Sequence, residues 1–267
     1  MIALLRRSAS QARYVLLGAF ALLCGFQIVI VGQAAEIERT QAFSRMADLL
    51  PGFLQRGLGS KAMLLATFKG TVSFGYFHPL VCVIVALVAM YVTTEPAHEV
   101  ESGLVDLELA RALPRRALLT RSLLLAAVSV GACVLLMGVG TSLGIRIFAA
   151  GDLDVPPTGV RVRLMINLAA LGMCFGGFGL LIGARARRWT TAFTIVVLTA
   201  VLCYLIDFLA IGWRPMRAIV WISPFHYYPA LSIVAGDAAS GRDVAVLLSA
   251  AAIFSAGAYW SFQRRDL

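Results

Sequence analysis

An all-helical integral membrane protein is the fold class this sequence predicts, and two observations predict it. Six predominantly apolar stretches of eighteen or more residues contain no Asp, Glu, Lys or Arg, each near the roughly 20 residues a helix needs to cross a bilayer's hydrocarbon core. The chain of 267 residues is 60% hydrophobic and only 14% charged, with a mean hydropathy of +0.85. Those values lie outside the range of soluble domains. Six spans leave little chain for a soluble unit, so residues 1–267 read as a single membrane domain.

The first uncharged run is Tyr14–Ala35, preceded by Arg6, Arg7 and Arg13. It exceeds the roughly 7–15-residue core of a secretory signal, so it reads as an uncleaved first span (14–35) despite the VGQAAE that follows. The second run, Gly70–Thr94, and the third, Ser122–Ile145, define spans at 71–94 and 120–145. Between the first two, Glu36–Lys69 carries short apolar pieces such as Leu49-Leu50-Pro51-Gly52-Phe53-Leu54, expected to lie as short helices on the outer membrane surface. Leu164–Ala184 and Trp189–Ile206 mark spans at 164–184 and 189–213, and Val244–Gln263 the last, at 243–263.

Ala218–Gly236 is also uncharged and long enough to cross, but Ser223, Pro224, His226 and Pro229 divide its apolar content into two short pieces. It reads as a re-entrant hairpin, broken at Ser223-Pro224, of the kind tolerated where backbone is buried in protein or lines a cavity. Trp213, Trp221, Phe225, Tyr227 and Tyr228 gather around it, as expected of rings at headgroup depth.

The net charge of +9 does not point to nucleic acid, because Lys and Arg fall beside the ends of the apolar runs, where they meet anionic headgroups. Nearly equal numbers of them fall on the two sides of a six-span arrangement. The cluster Arg185, Arg187, Arg188, tight between the fourth and fifth spans, places that loop and both termini in the cytoplasm. The five cysteines sit one in each of the first five spans, without metal-ligand spacing, and read as packing residues. The three histidines are isolated, and neither Lys61 nor Lys69 stands in a phosphate-binding loop, so no metal or nucleotide cofactor is expected on this chain.

The most distinctive charged segment lies between the second and third spans. Pro96 suits the first turn of a helix and Pro114 disfavours helix at Leu113, so a surface helix of about four turns is expected between them. At about 100° per residue, Glu101, Glu108 and Arg111 share one flank and Val105, Leu109 and Ala112 the adjoining one. Gly103 weakens such a helix by about 1 kcal/mol relative to Ala.

On two motifs the chain resembles the membrane-spanning permease subunits of ATP-binding-cassette type-2 exporters. One is Glu99-Val-Glu101-Ser-Gly103-Leu104-Val-Asp106-Leu-Glu108-Leu109 followed by Leu113-Pro114-Arg115-Arg116 and Arg121; the other is Ile222-Ser223-Pro224-Phe225-His226-Tyr227-Tyr228 between the fifth and sixth spans. The resemblance implies a half-transporter that pairs with a second permease copy or a related permease, mainly through spans one and five. It also implies a separate cytoplasmic ATPase that holds ATP and Mg. The segment at 98–113 would be the coupling helix, with Glu99, Glu101, Gly103, Asp106, Glu108 and Arg111 as its contact residues.

Asp207, His78 and Tyr204 are the candidates for a substrate path, since an ionisable group within a span is a functional hypothesis by default. Asp207 also has a structural reading, as a cap for hairpin amides or a partner of Arg214 or Arg217. The spacings Gly172, Gly176, Gly179, Gly183 and Gly140, Gly144 allow close helix approach, expected within one chain rather than at a dimer seam. Two rival functions stand beside the exporter subunit in the plasma membrane: an assembly factor or scaffold, and a lipid-modifying membrane enzyme. The enzyme lacks a third polar group to join Asp207 and His226.

Overall fold

The structure, a computed structural model, describes residues 2–40, 64–65, 67–103, 115–149, 153–236 and 241–264. Among them there is no strand, and six helical segments are long and apolar enough to cross a membrane. The first is α1, Ile2–Thr40. At about 1.5 Å per residue, its 39 residues extend for about 58 Å, well past a hydrocarbon core of about 30 Å. Arg6, Arg7 and Arg13 therefore ride on the same helix as the span they precede. The expected surface helices of the first connection lie outside the described residues, apart from its two ends.

The second span is two helices, α2 (Phe68–Phe77) and α3 (Pro79–Thr93). Pro79 has no N–H to continue the ladder and pushes His78 into extended backbone at φ −56° and ψ 133°. The His78 ring then accepts a bond from the Leu80 amide at 3.2 Å. Below Thr94 the chain turns into α4, Glu95–Glu101. The long helix α5 (Arg115–Phe148) is the third span, α6 (Thr158–Arg185) the fourth and α7 (Trp189–Gly212) the fifth.

The fourth span is the hub, packed against α3, α5, α7 and the last span, α10 (Gly241–Gln263). Its glycines explain how. A Cβ on Gly183 would stand 3.0 Å from the Thr93 carbonyl oxygen, and one on Gly177 2.6 Å from that of Ala251. Likewise Gly140 on α5 faces the Cys24 carbonyl at 2.5 Å and Gly144 faces Val31 at 2.8 Å. The glycine stripes thus bring helices of one chain into backbone contact, where association in lipid depends on packing.

Between the fifth and sixth spans the chain makes α8 (Arg214–Arg217), 3-10 turns at Val220–Ile222 and Pro224–Tyr227, and α9 (Ala230–Ala235), closed by Gly236 at φ +89°. No piece is long enough to cross. The turn at Pro224–Tyr227 packs against α6, α7 and α10, and α9 against α2 and α6, so the segment folds back onto the bundle.

Candidate functional site

At one end of the bundle, α4 is fastened to two different spans by its own carboxylates. Glu99 is 4% exposed, and its Oε1 lies 2.7 Å from Nη1 of Arg121, which is fully buried on α5. Glu95 approaches the same guanidinium at 3.5 Å. Two residues on, and hence on the opposite side of the helix, Glu101 accepts the Trp189 amide at 2.9 Å. Trp189 is the first residue of α7, whose leading amides have no partner within the helix. A carboxylate there also suits the positive end of the helix dipole. One short helix therefore grips the third span through charge and the fifth through a cap.

Gly103 ends α4. It takes φ +70°, a left-handed conformation that favours glycine, directly after Ser102 closes the last turn. The helix expected to run from Pro96 to Pro114 accordingly stops at Glu101, and a glycine that sequence reading treats as a weak point is a terminator. Asp106, Glu108 and Arg111, with the rest of residues 104–114, lie outside the described residues. Beside α4, a cavity of about 290 Å³ opens between Ser8 and Gln11 of α1, Tyr91, Glu95, His98 and Trp189.

At the opposite end, the segment between the fifth and sixth spans builds the wall of a second cavity. Ser223 is fully buried: its hydroxyl donates to the Cys203 carbonyl at 2.9 Å and accepts the Phe225 amide at 3.2 Å. Pro224 opens the 3-10 turn, and Phe225 drops between Phe175 and Tyr204, with ring centroids 5.3 and 5.5 Å away. Tyr228 donates to the carbonyls of Tyr76 at 3.2 Å and Leu164 at 3.4 Å, joining the segment to the second and fourth spans. The resulting cavity, about 360 Å³, takes Tyr204 and Asp207 from α7 and Phe77 from α2.

Residues 59–263 match the family described as Multidrug efflux system permease Rv1217c, C-terminal domain. The chain belongs to this family. It is a multi-pass membrane permease of the efflux kind, a transport component rather than a catalytic one. Comparison with curated proteins returned no match. The matched residues take in α4, five of the six spans and both cavity walls contributed by α2 and α7; α1 precedes them.

Within this permease the sequence-predicted residues separate into distinct groups. Glu101 is exposed at the end of α4, whereas Glu99 is turned inward to Arg121, so the two carboxylates do not form one outward surface. Asp207 and Tyr204 do share a cavity, but His78 is not among the residues that line it; its ring lies 5.1 Å from both Phe26 and Phe74 at the helix break. Of the alternatives for Asp207, pairing with Arg217 is not seen: that guanidinium bonds the Ala210 and Ile211 carbonyls at the end of α7. The expected belt also divides, because Phe225 and Tyr228 are buried while Trp213 and Trp221 remain exposed. Tyr227 bonds the Trp221 carbonyl at 3.0 Å.

Sequence reading missed a polar node inside the apolar runs. Gln27 donates to Thr141 at 3.1 Å, and the Tyr76 and Thr141 hydroxyls stand 2.8 Å apart, tying the first three spans together. A glutamine amid Leu, Val and Ile was the visible signal. Pro79 was another, since it stands where the second span breaks.

Proposed function

We propose that this permease is the membrane half of an ATP-driven exporter of the ATP-binding-cassette type-2 kind. In this reading ATP and Mg belong to a separate cytoplasmic ATPase, and the path lies between two permeases, either two copies or two related chains. The protein sits in the plasma membrane, with both termini and α4 on the cytoplasmic side.

The observation that carries the reading is the double attachment of α4. A segment that receives a push from an ATPase must hand it to the spans, and the Glu99–Arg121 ion pair and the Glu101–Trp189 cap lead to the third and fifth spans. Packed cores and interfaces respond as bistable units rather than by bending continuously, so such links favour rigid movement of whole helices. The fifth span is also little enclosed: Leu198, Leu202, Phe208 and Ile211 are all more than half exposed, as are Tyr14, Leu17 and Leu22 on α1. These faces suit lipid on one side and a second permease on the other.

Capture of the tagged permease from native membranes tests the proposal. An ATPase carrying a phosphate-binding loop is expected to co-purify, and Glu101→Lys with Glu108→Lys is expected to reduce its recovery while expression and membrane insertion persist. Undiminished recovery with full transport by the double variant would remove α4 and its continuation from the coupling role.

A further inference from the structure

We propose that the cavity beside Asp207 is a binding site for a lipophilic organic cation of single positive charge. The inference rests on the exporter reading, since it names the class of substrate that the path would carry.

The walls are aromatic. Phe74 and Phe77 come from α2, Tyr204 and Phe208 from α7, and Phe225 from the folded-back segment. Tyr204 stacks on Phe208 with an interplanar angle of 15° and meets Phe225 edge-on at 82°, so the rings present both faces and edges to the space between them. Asp207 lies one turn from Tyr204 on the same helix and opens into the same space. Among the described residues it makes no hydrogen bond or ion pair. Arg217, just past the end of α7, is committed to backbone carbonyls.

A carboxylate at such a depth is costly to maintain, and in membrane proteins such groups mark ion and substrate paths. Its natural complement is a cation. Aromatic faces add attraction for positive charge that has shed its water, and they do so best for weakly hydrated organic cations. The volume, about 360 Å³, falls at the lower end of the range of about 300–1,000 Å³ common for small-molecule pockets. A metal ion is a poor fit: hard cations take six or more oxygen ligands, and no group of three metal-binding side chains occurs among the described residues. An anion would meet the carboxylate, and a neutral apolar compound would leave it without a partner.

The test uses the full-length permease in lipid nanodiscs, with ethidium as the cation and phenanthridine as an uncharged relative of similar shape. Fluorescence titration is expected to show saturable ethidium binding by the native protein, weakened tenfold or more in Asp207→Asn and largely retained in Asp207→Glu. Phenanthridine binding is expected to change less than threefold between native protein and Asp207→Asn. Tyr204→Leu supplies a second variant that leaves the carboxylate in place, and it should weaken ethidium several-fold through loss of one ring. Absence of saturable ethidium binding by the native protein, or equal affinities for native protein and Asp207→Asn, overturns the proposal. Neither titration involves ATP or a partner chain. Failure here with an ATPase still co-purifying therefore removes the cation site alone, and ethidium binding without any ATPase removes the exporter reading alone.

Discussion

Replacing Arg121 by Met should be among the most damaging single changes outside the spans' glycine contacts. The native guanidinium is fully buried, 2.7 Å from Glu99 and 3.5 Å from Glu95, whose side chains are only 5% and 14% exposed. Methionine fills most of the volume but leaves two carboxylates without their countercharge. Removing one partner of a buried pair costs about 3–5 kcal/mol, or roughly a hundredfold to a few thousandfold in the folded-to-unfolded ratio. Glu99→Gln should cost less, because Arg121 keeps Glu95 and the amide can still accept a hydrogen bond. The double variant Arg121→Met, Glu99→Leu removes charge from both sides and should recover part of the loss. Reversible unfolding in dodecyl sulfate and mild-detergent mixtures, followed by far-ultraviolet dichroism, supplies the double-mutant cycle. A loss below about 1 kcal/mol for Arg121→Met, or strict additivity in the double variant, would refute the claim that this pair anchors α4.

Glu101→Ala should cost about 0.5–2 kcal/mol through loss of the Trp189 amide's acceptor, visible as faster hydrogen exchange at the start of α7. Gly177→Val, whose Cβ would sit 2.6 Å from the Ala251 carbonyl, should lower the thermal midpoint sharply, while Gly131→Ala, with nothing within 4 Å, should leave it nearly unchanged. Tyr228→Phe should lose about 0.5–1.5 kcal/mol in the same unfolding assay, because its hydroxyl bonds two backbone carbonyls. In a chain freed of native cysteines, His226→Cys should react with an impermeant thiol reagent and Tyr228→Cys should not, since the first position is exposed and the second buried.

The number and order of the spans were legible because crossing a membrane is decided by local composition: about 20 apolar residues suffice whatever they touch. The break at Ser223-Pro224 was legible for a similar reason, since proline and a side-chain cap act on their own neighbours. The length of α4 was not. Gly103 is compatible with a weakened helix or a terminated one, and its positive φ in the folded chain makes it the terminator.

By itself, then, the sequence determined an all-helical bundle of six spans, the glycine stripes that permit close packing, and the interrupted segment before the last span. Tertiary structure alone decided what each polar group meets. Glu99 and Glu101 stand two residues apart and so on opposite sides of α4, yet nothing in their spacing says that one faces Arg121 and the other the start of the fifth span. Tyr227 and Tyr228 are neighbours of the same type, yet one lies against the exposed Trp221 turn and the other reaches carbonyls of two spans. Hydropathy is summed along the chain, whereas ion pairs, caps and cavity walls form between residues distant in sequence, and their partners exist only after the helices have packed.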